Sequence, residues 1–113
     1  METNIDNMAH KTIRYEFVWE QDESKGRNDG GGRAMWYIDG RSVMKAEIPP
    51  GARRMDDWQI IINVAMGGNV CQGKMPADGH YDLVLHELKL MDEPTSGWGQ
   101  FEADWQQAPE GHP

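Results

Sequence analysis

The stretch that most constrains this chain is Trp58 to Gly73, WQIIINVAMGGNVCQG. Ile60, Ile61, Ile62 and Val64 are β-branched, and such side chains fit a pleated surface better than a helix. The run is apolar at nearly every position, as a strand covered on both faces would be, with Asn63 as the interruption. A period of two places Ile60, Ile62, Val64 and Met66 on one face, the predicted core face. Gln59, Ile61, Asn63 and Ala65 share the other. The two amides of this second set are suited to gripping a hydroxyl-rich ligand. Gly67-Gly68 then ends the strand where the chain turns free of a Cβ penalty.

Four further patterns flank this strand. Thr12 to Glu20 alternates, with Ile13, Tyr15, Phe17 and Trp19 on one face and Arg14, Glu16, Val18 and Glu20 on the other, which predicts a strand whose second face is wet. Ala34 to Ile38 and Arg41 to Ala46 are the arms of a hairpin, joined by Asp39-Gly40, a type I′ turn pair. Tyr81 to Met91 alternates again and puts Val84, His86, Leu88 and Leu90 on a core face. Phe101 and Trp105 are four apart, the spacing of one helix face, so 100–107 is predicted as a short C-terminal helix covering exposed core. The segment 22–32 reads as a flexible polar loop, and its glycine triplet lacks the Gly-Lys-Ser/Thr continuation of a phosphate cradle. Residues 48–57 form a Pro-Pro-Gly loop with solvated charge pairs.

In the order YEFVWE, WYIDG, IINVAMGGN and HYDLVLHELKL, these pieces resemble the C-terminal half of glycoside hydrolase family 16, across about residues 12–91. The resemblance implies an all-β, partial concanavalin A-like jelly-roll β-sandwich, with strands near 12–20, 34–38, 41–46, 58–66 and 81–91. On this reading 1–11 is a disordered lead-in, 12–91 the sandwich portion and 92–113 a tail. The family consists of laminarinases, lichenases and related β-glucan hydrolases, so the implied function is carbohydrate-active: hydrolysis of O-glycosyl bonds in the full-length family. The alternative is a non-catalytic glycan-binding or interaction module.

The family's retaining mechanism uses two glutamates on one strand in an E-x-D-x-E or E-x-D-x-x-E pattern, because a period of two sets them on one face, with carboxyls about 5–5.5 Å apart across the scissile bond. That pattern is missing from these residues. Glu16-Phe17-Val18-Trp19-Glu20 is its nearest imitation, with valine at the tuning position, and no catalytic residue is assigned. In the family the asparagine of N-x-A-x-G-G faces the glycan cleft, which makes Asn63, with Gln59 on the same strand face, the expected substrate contacts. Relatives carry tryptophan after G-G-N for sugar stacking where this chain has Val70, so the β-glucan affinity implied is weak. His86 stands where a structural-calcium aspartate would, so neither calcium nor any other metal or cofactor is expected. Cys71, His80 and His86 match no zinc spacing, and no G-x-S-x-G elbow supports serine hydrolysis.

Composition narrows the partners. The 113 residues fit one domain at most, while sandwiches of this kind often run to roughly 200–250 residues. A chain of this size buries a modest core, and a complete two-sheet sandwich with a cleft is a stretch for it. Half a sandwich exposes strand edges and an apolar face, which implies poor behaviour alone and a need for the remaining half-domain or for self-association. A net charge of −8 disfavours nucleic acid, whose binding needs clustered Lys and Arg, and anionic membranes likewise. No apolar run has the length of a membrane helix, and Met1-Glu2-Thr3-Asn4 is unlike a signal peptide. Family members are usually secreted, so localisation stays open, and a single cysteine excludes only an internal disulfide.

Overall fold

The computed structural model describes residues 11–24, 26–62, 73, 78–79 and 83–111. The chain divides into two compact units, one made of 1–57 with 92–113 and the other of 58–91. The described residues are mostly β: an antiparallel sheet of three strands with one helix.

In the first unit β1 (Tyr15–Gln21), β2 (Gly32–Ile38) and β3 (Arg41–Ile48) lie in sequence order across the sheet, and α1 (Gly97–Gln107) follows. The β2–β3 hairpin forms where the sequence predicts it. Asp39 and Gly40 both have positive φ, 49° and 82°, as a type I′ turn demands, and Ile38 faces Arg41 directly across it. Between Trp36 and Tyr37 the register slips: Met44 faces Trp36 and Ser42 faces Tyr37, so Val43 is the extra residue of a β-bulge.

The glycine triplet is a close-packing device rather than a flexible loop. Gly32 opens β2 opposite Gln21, and a Cβ there would overlap the Glu20 carbonyl, while one on Gly31 would press on the Pro50 backbone at 2.8 Å. Only residues without a side chain let the loop pass so near its neighbours. The Gln21 side chain completes the join: its Nε2 donates to the Gly30 carbonyl and its Oε1 accepts from the Met55 N–H at 2.8 Å.

Pairing in β1 and β2 assigns the two sheet faces, because directly opposed residues share one. Val18 opposes Met35, Glu16 opposes Tyr37 and Glu20 opposes Arg33. This is the face that α1 covers. Val18, Met35, Tyr37, Phe101 and Ala108 form the core, with Trp105 packed against it, and Met35 and Phe101 are fully buried. Phe101, Trp105 and Ala108 recur at the four-then-three spacing of one helical stripe. The sequence reading of β1 is thereby corrected: the face expected to be wet is the covered one, and Tyr15 and Phe17, expected inside, are 62% and 41% exposed. Alternation reveals that a strand has two faces. Which face is covered depends on where the helix contributed by residues 97–107 lands, and Arg33 neutralises the carboxylates that would otherwise forbid burial there.

The second unit departs from expectation too. The strand predicted at 58–66 has no strand structure over its described portion, 58–62, and the one predicted at 81–91 has none over 83–91. Ile60, Ile61, Val84, Leu88 and Leu90 are exposed, and so is His86, which the alternation had placed on a core face. β-Branched propensity expresses fit to a half-buried pleated surface, not a backbone preference that acts alone. Among the described residues neither run has a ladder partner.

Candidate functional site: an aromatic sheet face and a tied carboxylate face

On the face of the sheet opposite α1, β1 contributes Tyr15, Phe17 and Trp19 and β2 contributes Trp36. The Phe17 and Trp19 rings are 5.8 Å apart and within 17° of parallel, and Phe17 meets Trp36 at 5.0 Å with a 43° tilt. Aromatic contacts of this kind add about 0.5–1.5 kcal/mol beyond area burial, so the rings hold one another in place while Phe17 and Tyr15 keep open surface. The arrangement can accept a ligand with apolar C–H faces between polar edges, as a pyranose ring has. Sequence reasoning found Tyr15, Phe17 and Trp19 but took them for interior, and it missed Trp36. The signal was available: register pairs Phe17 with Trp36, once the hairpin is extended to β1.

The other face holds the carboxylates closest to a catalytic pattern, and they are occupied. Glu16 accepts hydrogen bonds from the Thr95 N–H at 3.1 Å and from its hydroxyl. Glu20 pairs with Arg33 at 3.0 Å, and Arg33 also holds Glu102 of α1. The guanidinium lies over the rings of Phe101 and Trp105, 5.0 and 5.3 Å from their centroids. The hydrogen bond to Glu102, foremost, keeps Arg33 charged beyond even its ordinary range, against the opposing effect of burial. In return Arg33 holds the Glu102 carboxyl below its usual value. Lys45 of β3 secures the end of the helix, donating to the Trp105 carbonyl at 2.7 Å and lying 5.0 Å from that residue's ring.

Tyr37 provides the third tie, its hydroxyl donating to Asp104 at 2.9 Å. Burial foremost, then the hydrogen bond and the nearby charges of Asp104 and Glu16, push the phenol well above the ordinary tyrosine value. A raised folded-state pKa means stability that is complete below the unfolded pKa, near 10, and is lost as pH rises past it. Titration from pH 8 to 11.5 should therefore loosen α1 in the parent, read by tryptophan fluorescence. Tyr37→Phe should flatten that alkaline limb, and an unchanged limb would show that Tyr37 does not carry it.

Of the sequence-assigned contacts, Gln59 is exposed in the second unit, and Asn63 lies outside the described residues, as do Val70, Cys71 and His80. Among the described residues no three potential metal ligands gather, and no helix is long and apolar enough to cross a membrane. No protein-family profile matches the chain, and neither a curated protein nor a solved structure does.

Proposed function

We propose that this chain is a carbohydrate-active protein of the family 16 type that recognises β-glucan without hydrolysing it. One observation carries the reading: the sheet separates its chemistry, with an exposed aromatic surface on one side and, on the other, Glu16 and Glu20 committed to Thr95 and Arg33. A retaining hydrolase needs one free carboxylate as nucleophile and one protonated carboxyl as acid, facing a shared bond. Glu20 is engaged by the Arg33 guanidinium at 3.0 Å on the face that α1 covers, away from that role. Hydrolysis would require carboxylates from outside these residues, whereas binding does not. The glucan class itself rests on the ordered motifs YEFVWE, WYIDG, IINVAMGGN and HYDLVLHELKL, which also argue for a partial jelly-roll sandwich. Aromatic stacking from Phe17, Trp19 and Trp36 would supply affinity in place of the tryptophan replaced by Val70. Separately, in the second unit, Asn63 and Gln59 are the hydroxyl contacts that the family motif implies.

Calorimetric titration with laminarin and lichenan oligosaccharides tests this. Weak, saturable binding is expected, reduced at least tenfold by Trp19→Ala. A tenfold loss corresponds to about 1.4 kcal/mol, within the range that stacking on one ring provides for other planar ligands, about 1–3 kcal/mol. Binding by neither polymer, in a chain whose circular dichroism matches a β-rich fold, would contradict the proposal.

A further inference from the structure

The sheet has two outer edges, and they differ. On the β3 side the chain's own C-terminal segment closes the edge around Lys45: its N–H donates to the Pro109 carbonyl at 2.9 Å, and its carbonyl accepts from Gly111 at 2.8 Å. On the other side, among the described residues, β1 pairs with β2 alone. The direction of its backbone groups follows from its two ends. The Arg14 carbonyl accepts from Asp39, and the Asp22 N–H donates to Gly31, so the even-numbered residues turn toward β2. Tyr15, Phe17, Trp19 and Gln21 therefore present N–H and C=O groups outward. Neither proline nor lysine interrupts β1, so two common guards of an open edge are missing.

We infer that this edge is an interface between two copies of the chain, joined antiparallel through β1 with Phe17 on the two-fold axis. Hydrogen bonding requires outward-facing residues to oppose one another, so odd must meet odd, which leaves a short set of registers. Centring on Val18 opposes Glu16 to Glu20 of the other copy, and centring on Glu16 opposes Glu16 to itself. Centring on Trp19 sets Glu16 against Asp22. Like charges directly opposed destabilise a strand pair. Centring on Phe17 avoids them all and gives complementary neighbours instead. Phe17 meets Phe17, Tyr15 meets Trp19, Glu16 meets Val18 and Arg14 meets Glu20. Arg14 is exposed and outside the ion pairs formed among the described residues, and Glu20 is 44% exposed beside Arg33, so each copy has one cation to give and one anion with room to receive it. The aromatic rows then run on across the junction, extending the Phe17, Trp19 and Trp36 cluster. This interface does not depend on the chain binding glucan.

Sedimentation velocity of the full chain tests the state, and engineered disulfides test the register. The parent should sediment as a dimer at tens of micromolar. Arg14→Glu, which turns both Arg14–Glu20 pairs into repulsions, should shift it to monomer with its circular dichroism unchanged. In a Cys71→Ser background, Phe17→Cys places two thiols at opposed positions with Cα atoms about 5.5 Å apart, inside disulfide range. Oxidised glutathione should therefore convert it to a covalent dimer, while Glu16→Cys should stay largely monomeric. A monomeric parent, a dimer indifferent to Arg14→Glu, or equal cross-linking of both cysteine variants would overturn the inference.

Discussion

Phe101→Ala should cost about 3–5 kcal/mol, the usual result of truncating a buried aromatic side chain. Phe101 is fully buried at the centre of the only helix among the described residues. Trp98 meets it edge-on at 5.3 Å, Trp105 lies 6.2 Å away and the Arg33 guanidinium covers its ring. Truncation would remove the transfer free energy of the side chain, about 1.5–3 kcal/mol, and also empty the seat against which Arg33 and Trp105 are held. Small domains have total stabilities of about 5–15 kcal/mol, so this one change uses up a large share. Urea titration followed by tryptophan fluorescence and helix signal should show the midpoint displaced far to lower denaturant. Trp98→Ala, at a ring still 37% exposed, should have a much smaller effect. A loss under about 1 kcal/mol at Phe101 would mean that α1 is not what closes this core.

The second large effect sets adjacent strands against residue size. Met35→Ala should cost about 2–5 kcal/mol, because Met35 is fully buried between Val18 and the helix. Phe17 is larger and more hydrophobic, yet Phe17→Ser should cost clearly less, since the ring is 41% exposed. Ranking by hydrophobicity alone predicts the opposite order. The same urea titration, run below the concentration at which the chain dimerises, decides: the Met35 variant must be the less stable. If Phe17 proves the costlier site, the aromatic face is the true interior and the burial described above is wrong.

That inversion shows what the sequence could carry. Local chemistry was legible where a few neighbouring residues decide the outcome. Asp39-Gly40 specified its turn because few residue pairs tolerate two positive φ angles. Alternation located β1 to β3 within a few residues, and the four-residue spacing of Phe101 and Trp105 located α1. Choosing the covered face of β1 needed information from the far end of the chain. Arg33 makes that face coverable, by satisfying Glu20 and Glu102 together while its guanidinium packs on two aromatic rings. Nothing local to Arg33 announces a partner 69 positions away. The isoleucine run at 60–62 misled for a related reason, since its side chains suit a sheet but cannot supply one. For the candidate site, sequence reasoning separated Glu16 and Glu20 from catalysis by the valine between them. In the structure Glu16 bonds to Thr95 and Glu20 to Arg33.

The same ties predict how acid acts on this unit. Glu102 has a lowered folded-state pKa, caused first by its hydrogen bond to Arg33. A lowered carboxylate pKa contributes stability that is present above the unfolded value, about 4.3 for glutamate, and lost as pH falls through the folded one. Docking of α1 should thus weaken below about pH 4, and Glu102→Gln should already be weaker at pH 7 with a shallower acid limb.

Reducing-sugar release from laminarin and lichenan is the most direct measurement of recognition without hydrolysis. It should be made on the parent chain beside Glu16→Gln and Glu20→Gln, at the substrate concentrations that saturate binding. The account predicts no release from any of the three, because neither glutamate is free to act as nucleophile or acid. Turnover by the parent that either substitution abolishes would contradict it and would identify β1 as a catalytic strand.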